Sequence, residues 1–195
     1  MKRSLALTVL LLLWVLLAST AFAHKTRHTH KAKTKVHILS YSDCNTDTIS
    51  PYNLLYFAQS LIGIRYRDAS SDPAHGFDCS GFVSYVFKSF NAVVPRSSSD
   101  YAYAGREINI EDARPGDVIL FKGTKSHHPH SIGHIGIVYS NESNELKFIH
   151  STSGKEYGVT ISSLDDTYKR RFVKVVRLLR QNDNFQAPIF QAQVN

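Results

Sequence analysis

Residues 76–83 read GFDCSGFV, and the fold and chemistry of the chain follow from this stretch. A loop ending in Gly-Phe-Asp leads directly into an amphipathic helix, and the first turn of that helix carries Cys79. A helix start offers free N–H groups and the positive end of the helix dipole, which favour an anion and lower the pKa of a thiol. Cys79 is therefore a candidate nucleophile. A small buried hydrophobe is the other interpretation, and position alone does not decide between them.

The sequence pattern changes from helices to strands on either side of this stretch. Ser50 can cap a helix in which Pro51 takes the first position. The predicted elements are helices from 51, over 79–90 and over 95–104, followed by strands over 118–121, 134–140, 146–151, 157–161 and 172–178. Helices first and antiparallel strands later predict an α+β fold, with N-terminal helices packed on a central antiparallel sheet.

Two histidines lie on neighbouring predicted strands. A hairpin loop centred on Glu142 would place His134 directly opposite His150 on one face, with Cβ atoms about 4.5–5.5 Å apart. Leu146 and Phe148 share the face of His150. We therefore expect this face to pack inward against the second predicted helix.

These positions suit nucleophilic catalysis by a thiol. A cysteine nucleophile needs an imidazole to take its proton and a third polar group to orient that imidazole. Cys79, His134 and His150 supply these three groups. Either histidine alone would be interpreted as a satisfied core residue, whereas the three residues together predict a catalytic triad.

The N-terminus predicts export. Lys2 and Arg3 precede the apolar residues 5–18, and the small residues around Phe22 fit cleavage after Ala23. An uncleaved anchor is the alternative, although the stretch is short for a bilayer about 30 Å thick. The predicted parts are a signal peptide (1–23), a basic His-rich linker (24–49), a catalytic domain (50–180) and a polar C-terminal tail (181–195).

Charge and composition narrow the function classes. The chain has 195 residues, a formal net charge of +7 and 43% hydrophobic residues, which fits one globular domain and excludes a disordered acidic chain. The basic residues cluster in 24–37, which contains no acid. A solvated linker is the first interpretation, and electrostatic contact with anionic envelope polymers is the sharper one. No nucleic-acid recognition motif is found, so a nucleic-acid partner is not predicted.

Cysteine and histidine content leaves two further questions. A pair of cysteines in an exported protein is first interpreted as a disulfide. Because a bond between Cys44 and Cys79 would block the nucleophile, we expect Cys44 to be a free or intermolecular thiol.

The run His127, His128, His130 suggests a metal site with His134, but a solvated loop is favoured because His134 is assigned to catalysis. No cofactor is predicted, and a monomer is expected.

The residues resemble the NlpC-type cysteine peptidases, a papain-like branch of bacterial cell-wall hydrolases. The resemblance extends over roughly residues 52–178. It is carried, in this order, by LIGIRY at 61–66, GFDCSGFV at 76–83, VPRSS at 94–98, RPGDVILF at 114–121, GHIGI at 133–137 and FIH at 148–150. A lone Asp-Cys-Ser-Gly would be a weak signal, but several such blocks in one order make a strong one.

The resemblance implies a papain-like NlpC fold and a role for each matched residue. Cys79 would be the nucleophile, His134 the base and His150 the orienting residue. The other implied site residues are Tyr66 at the oxyanion, Asp78 and Ser80 in the substrate groove, and Arg96 as a looser match. Residues 67–70 read RDAS where the family usually has an aromatic residue and two glycines, which puts detailed substrate preference in doubt.

Similar proteins cut the peptide stems of peptidoglycan, at the γ-D-glutamyl–diamino acid bond or at a cross-link. The resemblance therefore implies a peptidoglycan endopeptidase that is periplasmic or associated with the cell wall. Two other functions remain open on the same fold. One is a non-catalytic wall-binding module, in which Cys79 or His134 would be inert. The other is a Cys-His acyltransferase acting on lipids or amides.

Overall fold

A computed structural model describes residues 41–124, 131–143 and 145–183. Its α-helices are α1 (Pro51–Gln59), α2 (Cys79–Lys88) and α3 (Asp166–Arg171). Its strands are β1 (Ser71–Asp72), β2 (Gly76–Phe77), β3 (Arg106–Ile108), β4 (Val118–Lys122), β5 (Ile132–Glu142), β6 (Glu145–Thr152), β7 (Gly158–Ser163) and β8 (Phe172–Arg177). The predicted signal peptide, residues 24–40 of the predicted linker, and residues 184–195 of the predicted tail lie outside the described residues. No helix in the described part of the chain is both long and apolar enough to cross a membrane.

Side-chain caps start the first two helices where the sequence predicts. Ser50 caps α1 by accepting a hydrogen bond from the backbone N–H of Asn53 at 3.5 Å. Asp78 caps α2 in the same way, since its Oδ1 accepts from the N–H of Gly81 at 2.6 Å. Such caps satisfy N–H groups that have no partner inside the helix. The cap of α2 fixes the position of Cys79.

The predicted helix over 95–104 is wrong. Only a short 3₁₀ helix forms there, over Asp100–Tyr103. The preceding residues are rich in serine, and the hydroxyls of Ser97 and Ser99 bond to each other at 2.8 Å. Serine hydroxyls that bond locally offer the chain an alternative to a helix, which explains the late start.

Six strands form one antiparallel sheet in the order β3-β8-β4-β5-β6-β7. All five predicted strands belong to it, and the prediction of an α+β fold with helices packed on a central antiparallel sheet is confirmed. The short edge strand β3 was not predicted. Residues just before α1 are also part of the fold, because Cys44 and Ile49 are buried in the core. The predicted linker is therefore packed against the domain at its C-terminal end.

The two faces of the sheet carry different cores. Ile135, Ile137 and Ile149 pack with the apolar residues of α1 and α2. Phe148 and Leu146 belong to a second core on the opposite face, which the side chains of α3 cover in part. The expectation that Leu146 and Phe148 pack against the second helix is thus wrong. Side chains alternate along β6, and it is Ile149 that faces this helix.

Candidate active site

The thiol of Cys79 lies at the start of α2, half-buried. Backbone N–H groups of Cys79, Ser80 and Ile135 interact with its sulfur and favour the thiolate. Burial acts in the opposite direction, as does the negative charge of Asp78, and together they raise the pKa of the Cys79 thiol. The expected lowering of this pKa by the helix start is therefore wrong for the unliganded protein. Desolvation outweighs the helix start here.

His134 lies near the start of β5 and shares a cleft with Cys79. The cleft has a volume of about 860 Å³ and is lined by Tyr66, Cys79, His134, Tyr168 and Arg171, among others. His134 is 9% exposed. The N–H of Ile135, which follows His134 directly, interacts with the sulfur of Cys79. The sequence-predicted nucleophile and base therefore border the same cleft.

His150 reaches His134 diagonally across the sheet. The observed register pairs Ile137 with Ile149 and Val138 with Phe148, which leaves Gly136 opposite His150. Even so, Nε2 of His134 lies 2.8 Å from Nδ1 of His150. The predicted direct opposition of the two histidines is wrong, although they share a face and their rings meet.

Two local features explain the difference in register. The hairpin closes with Glu142 paired to Glu145, so its centre lies after residue 143, and the ladder then shifts between Val138 and Ser140. Such a bulge inserts an extra residue on one strand and cannot be located from spacing alone. Together, the turn and the bulge displace the strand register by two residues from the predicted one. Because side chains alternate between the two faces, an even displacement leaves those of His134 and His150 on one face.

Ser162 on β7 extends the line of polar groups to a third strand. Its Oγ lies 3.0 Å from Nε2 of His150. Burial raises the pKa of Tyr168, and hydrogen bonding to the side chains of Thr152 and Ser162 acts in the opposite direction. Sequence reasoning missed Ser162 and Tyr168, since both depend on the register of β7 and on the position of α3.

The hydrogen bonds on both sides of His150 couple the protons of the two imidazoles. A neutral His150 that donates its Nε2–H to the oxygen of Ser162 accepts at Nδ1 from the Nε2–H of His134. Nδ1 of His134 would then be the unprotonated nitrogen, the form that a general base would require.

Burial keeps both imidazoles neutral. It lowers the pKa of His134 to about 3, and the nearby positive charge of Arg171 acts in the same direction. The pKa of His150 lies well below its usual range because of burial first, then the charges of His134 and Arg171. Since the Cys79 pKa is raised, the cleft of the unliganded protein is lined by a neutral thiol and a neutral imidazole.

Tyr66 borders the cleft next to the thiol. Its hydroxyl donates to Oδ1 of Asp68 at 3.0 Å. Burial, this bond and the neighbouring Cys79 and Asp78 raise the pKa of Tyr66 far above its usual value. Tyr66 is therefore protonated and can donate a hydrogen bond near the sulfur. Its assignment to the oxyanion remains a prediction.

Asp78, Ser80 and Arg96 form a network behind the helix start. Arg96 donates to both carboxylate oxygens of Asp78, at 3.0 and 2.6 Å, and to the hydroxyl of Ser80 at 2.9 Å. None of the three is among the residues that line the cleft. The network holds the Asp78 cap rigid, and its contact with substrate remains a prediction.

The second cysteine lies away from the cleft. Cys44 is fully buried, and its thiol donates to the carbonyl of Ala104 at 3.4 Å. Burial raises the pKa of Cys44 to about 11. It forms no disulfide with Cys79. The His127–His130 loop, the other open question of the sequence, lies outside the described residues.

An α+β domain with a cysteine at a helix start and two histidines on neighbouring strands is typical of the papain-like cysteine peptidase folds. Comparison with known proteins identifies the family within this class. Residues 63–177 match the NlpC/P60 family, and the chain belongs to this family. The fold agrees with a solved NlpC/P60 family protein from Bacillus cereus, at a TM-score of 0.60 and 26% identity, over 69% of this chain and 42% of that one.

Curated relatives carry enzymatic names. The chain is 33% identical over 132 residues to the gamma-DL-glutamyl hydrolase of Bacillus subtilis, covering 67% of this chain and 29% of that protein. It is 32% identical over 122 residues to the murein DD-endopeptidase MepS/murein LD-carboxypeptidase of Escherichia coli K12, covering 62% and 58%. The chain thus spans about half the length, or less, of the curated relatives it matches.

Proposed function

We propose that this protein is an exported cysteine endopeptidase that hydrolyses the peptide stems of peptidoglycan. One observation carries the proposal. Cys79 and His134 border the same cleft, and Nε2 of His134 is held 2.8 Å from Nδ1 of His150. A nucleophile, its base and a group that orients the base are the minimum for acyl transfer by a thiol.

The reaction starts from the neutral pair. Nδ1 of His134 takes the proton of the Cys79 thiol as the sulfur attacks the carbonyl carbon of the scissile amide. The imidazolium is stabilised by its Nε2–H bond to His150, and it then protonates the leaving amine. A thioester on Cys79 remains. Water, deprotonated by His134, attacks the thioester and releases the acid and the thiol.

The oxyanion of the tetrahedral intermediates needs hydrogen-bond donors. We assign this role to the backbone N–H of Cys79 and to the hydroxyl of Tyr66. In the unliganded protein that hydroxyl is donated to Asp68, so it must turn toward the substrate. Asp78, Ser80 and Arg96 shape the groove by holding the start of α2 in place.

The scissile bond is the γ-D-glutamyl–diamino acid bond or a cross-link. The names of the two curated relatives point to these two possibilities, a γ-glutamyl bond in one and a murein peptide bond in the other.

We propose export with cleavage after Ala23, and contact of residues 24–37 with anionic envelope polymers. N-terminal sequencing of the mature protein should begin at His24, and binding to purified cell wall should fall steeply with salt.

Digestion of purified peptidoglycan tests the proposal. Mass spectrometry of the soluble products should show muropeptides with a new amino terminus, which identifies the bond that is cut. A non-catalytic wall-binding module would bind the same material and release nothing. An acyltransferase would leave the stems intact and form an acylated product from a lipid or amine acceptor. Either outcome would overturn the proposed hydrolysis.

A further inference from the structure

The cleft is lined by one arginine, Arg171, whose positive charge acts on His134 and His150. Arg171, the last residue of α3, lines the cleft together with Cys79 and His134. Its Nε donates to the carbonyl of Lys122 at 2.9 Å, and its guanidinium lies 5.7 Å from the ring centre of Tyr168. These contacts hold the side chain in one direction.

The terminal nitrogens of Arg171 have no partner among the residues that the structure describes. Among the described residues, neither Nη1 nor Nη2 makes a hydrogen bond, and no carboxylate forms an ion pair with this guanidinium. A guanidinium with free terminal N–H groups in a cleft is suited to bidentate binding of a carboxylate.

The acids around the cleft are committed elsewhere. Asp68 accepts from the hydroxyl of Tyr66. Asp165 caps α3 by accepting from the backbone N–H groups of Thr167 and Tyr168 at 2.9 and 3.0 Å. Glu156 acts electrostatically on Tyr168 but forms no ion pair with Arg171. Within the described residues, none of these carboxylates forms an ion pair with Arg171, so its guanidinium can pair with a carboxylate of a ligand.

We propose that Arg171 binds a free carboxylate of the substrate beside the scissile amide, and so selects anionic stems over their amidated forms. This inference rests on the proposed function and names the substrate class for the same cleft. A γ-linked glutamyl residue leaves its α-carboxylate unmodified on the acyl side of the scissile bond, so it supplies the required group. The same peptide with an α-carboxamide cannot neutralise the guanidinium.

Binding of the carboxylate also assists the base. In the unliganded protein the charge of Arg171 disfavours protonation of both His134 and His150. The reaction must place a positive charge on His134, next to this guanidinium. A carboxylate on Arg171 cancels the repulsion at the moment the substrate is in place, since opposite charges in a partly buried site interact strongly.

Two matched peptides test the inference. Both contain L-Ala-γ-D-Glu followed by a diamino acid, one with the free α-carboxylate and the other with the α-carboxamide. The wild-type protein should cleave the carboxylate at least about tenfold more efficiently, because a site built for a charged group rejects the analogue that lacks it. In Arg171→Gln this ratio should fall to near one. In Arg171→Lys it should be partly kept.

Three controls separate the possible failures. Arg170 is the exposed neighbour of Arg171 on α3, and Arg170→Gln should retain the wild-type ratio. Binding of both peptides to the Cys79→Ala protein, measured by calorimetry, should show the same preference without any turnover. An NMR titration of the Arg171→Gln protein should give a higher pKa for His134.

Equal cleavage and equal binding of the two peptides by the wild-type protein would overturn the inference and leave the hydrolase assignment intact. A carboxylate preference that survives in Arg171→Gln would also overturn it. Cleavage of neither peptide, together with no release from peptidoglycan, would instead overturn the proposed function.

Discussion

His150 bonds to His134 across a diagonal of the β5–β6 ladder, and Nε2 of His134 lies 2.8 Å from Nδ1 of His150. The same diagonal continues to Ser162 on β7. Three polar side chains from three adjacent strands thus form a single hydrogen-bonded line that ends beside the cleft. A proton on Nε2 of His134 in this line would leave Nδ1 unprotonated, as a general base requires.

Gly136 makes the diagonal contact possible. A Cβ atom there would lie 2.8 Å from Cδ2 of Phe148 and 3.2 Å from Cβ of His150. We expect Gly136→Ala to lower the free energy of unfolding by about 1–3 kcal/mol, as overpacked core positions do, and to reduce activity by displacing His150. Urea denaturation measures the first effect. Gly154→Ala is the control for stability, because its added Cβ meets only one atom, the hydroxyl oxygen of Thr152 at 3.1 Å. Equal stability of the two variants would contradict the packing argument.

We expect Ser162 to act as a positioning residue through His150, whose Nε2 lies 3.0 Å from its Oγ. Ser162→Ala should lower kcat roughly 10- to 100-fold with little change in KM, by analogy with groups that orient metal-binding histidines. The ¹⁵N chemical shifts of the His134 and His150 rings should also show a change of tautomer, which a purely structural effect would not produce. Ser163→Ala is the matched control, since Ser163 bonds to Glu145 at the surface. Unchanged ring shifts in Ser162→Ala would contradict the assignment of the protons.

Much of this arrangement can be predicted from the sequence, because the decisive signals are local. The caps at Ser50 and Asp78 mark the starts of α1 and α2, and the alternation of apolar residues marks the long strands. The diagonal contact could not be predicted, because it depends on a bulge and on the exact turn of the hairpin. Ser162 requires the register of a third strand, which no spacing rule supplies.

The short helix α3 was missed although it carries Arg171. It has six residues and no buried residue, so it shows no apolar periodicity. The one local signal is Asp165, which accepts from two N–H groups at the helix start. A cap without a following amphipathic pattern is too weak to predict a helix.

Asp78 precedes Cys79 and pairs with Arg96. Burial is the main cause of the raised pKa of the Cys79 thiol, and the negative charge of Asp78 raises it further. Asp78→Asn keeps a side chain that can cap α2, removes the negative charge and leaves the Arg96 charge unpaired. We therefore expect the pH midpoint for alkylation of Cys79 by iodoacetamide to move lower. The measurement uses a Cys44→Ala background, with Asp100→Asn as the control for an exposed acid. An unchanged or higher midpoint would contradict the electrostatic account.

The buried histidines should make the protein sensitive to acid. The pKa of His134 is about 3 in the folded protein and near 6.5 in the unfolded chain, so the unfolded state binds more protons between these values. The contribution of His134 to the free energy of unfolding is therefore fully present above about pH 6.5 and is lost as the pH falls toward 3. His150 acts in the same direction. Each of the two histidines changes the free energy of unfolding by up to about 1.4 kcal/mol per pH unit in this range.

Denaturation between pH 3 and 7 measures this slope. His150→Gln should reduce it, because one buried titrating group is removed. Glu111→Gln should leave it unchanged, since Glu111 is exposed and its side chain forms no ion pair with the described residues. Identical slopes in all three proteins would show that the buried pair does not control acid stability.

Catalysis by Cys79 is tested most directly by the rate at which Cys79→Ala releases muropeptides from purified peptidoglycan, relative to the wild-type protein. Removal of a nucleophile should lower the rate by at least about a thousandfold, with the fold preserved. Cys44→Ala, which alters a buried thiol outside the cleft, should keep most of the activity. Release by Cys79→Ala within tenfold of the wild-type rate would contradict the account.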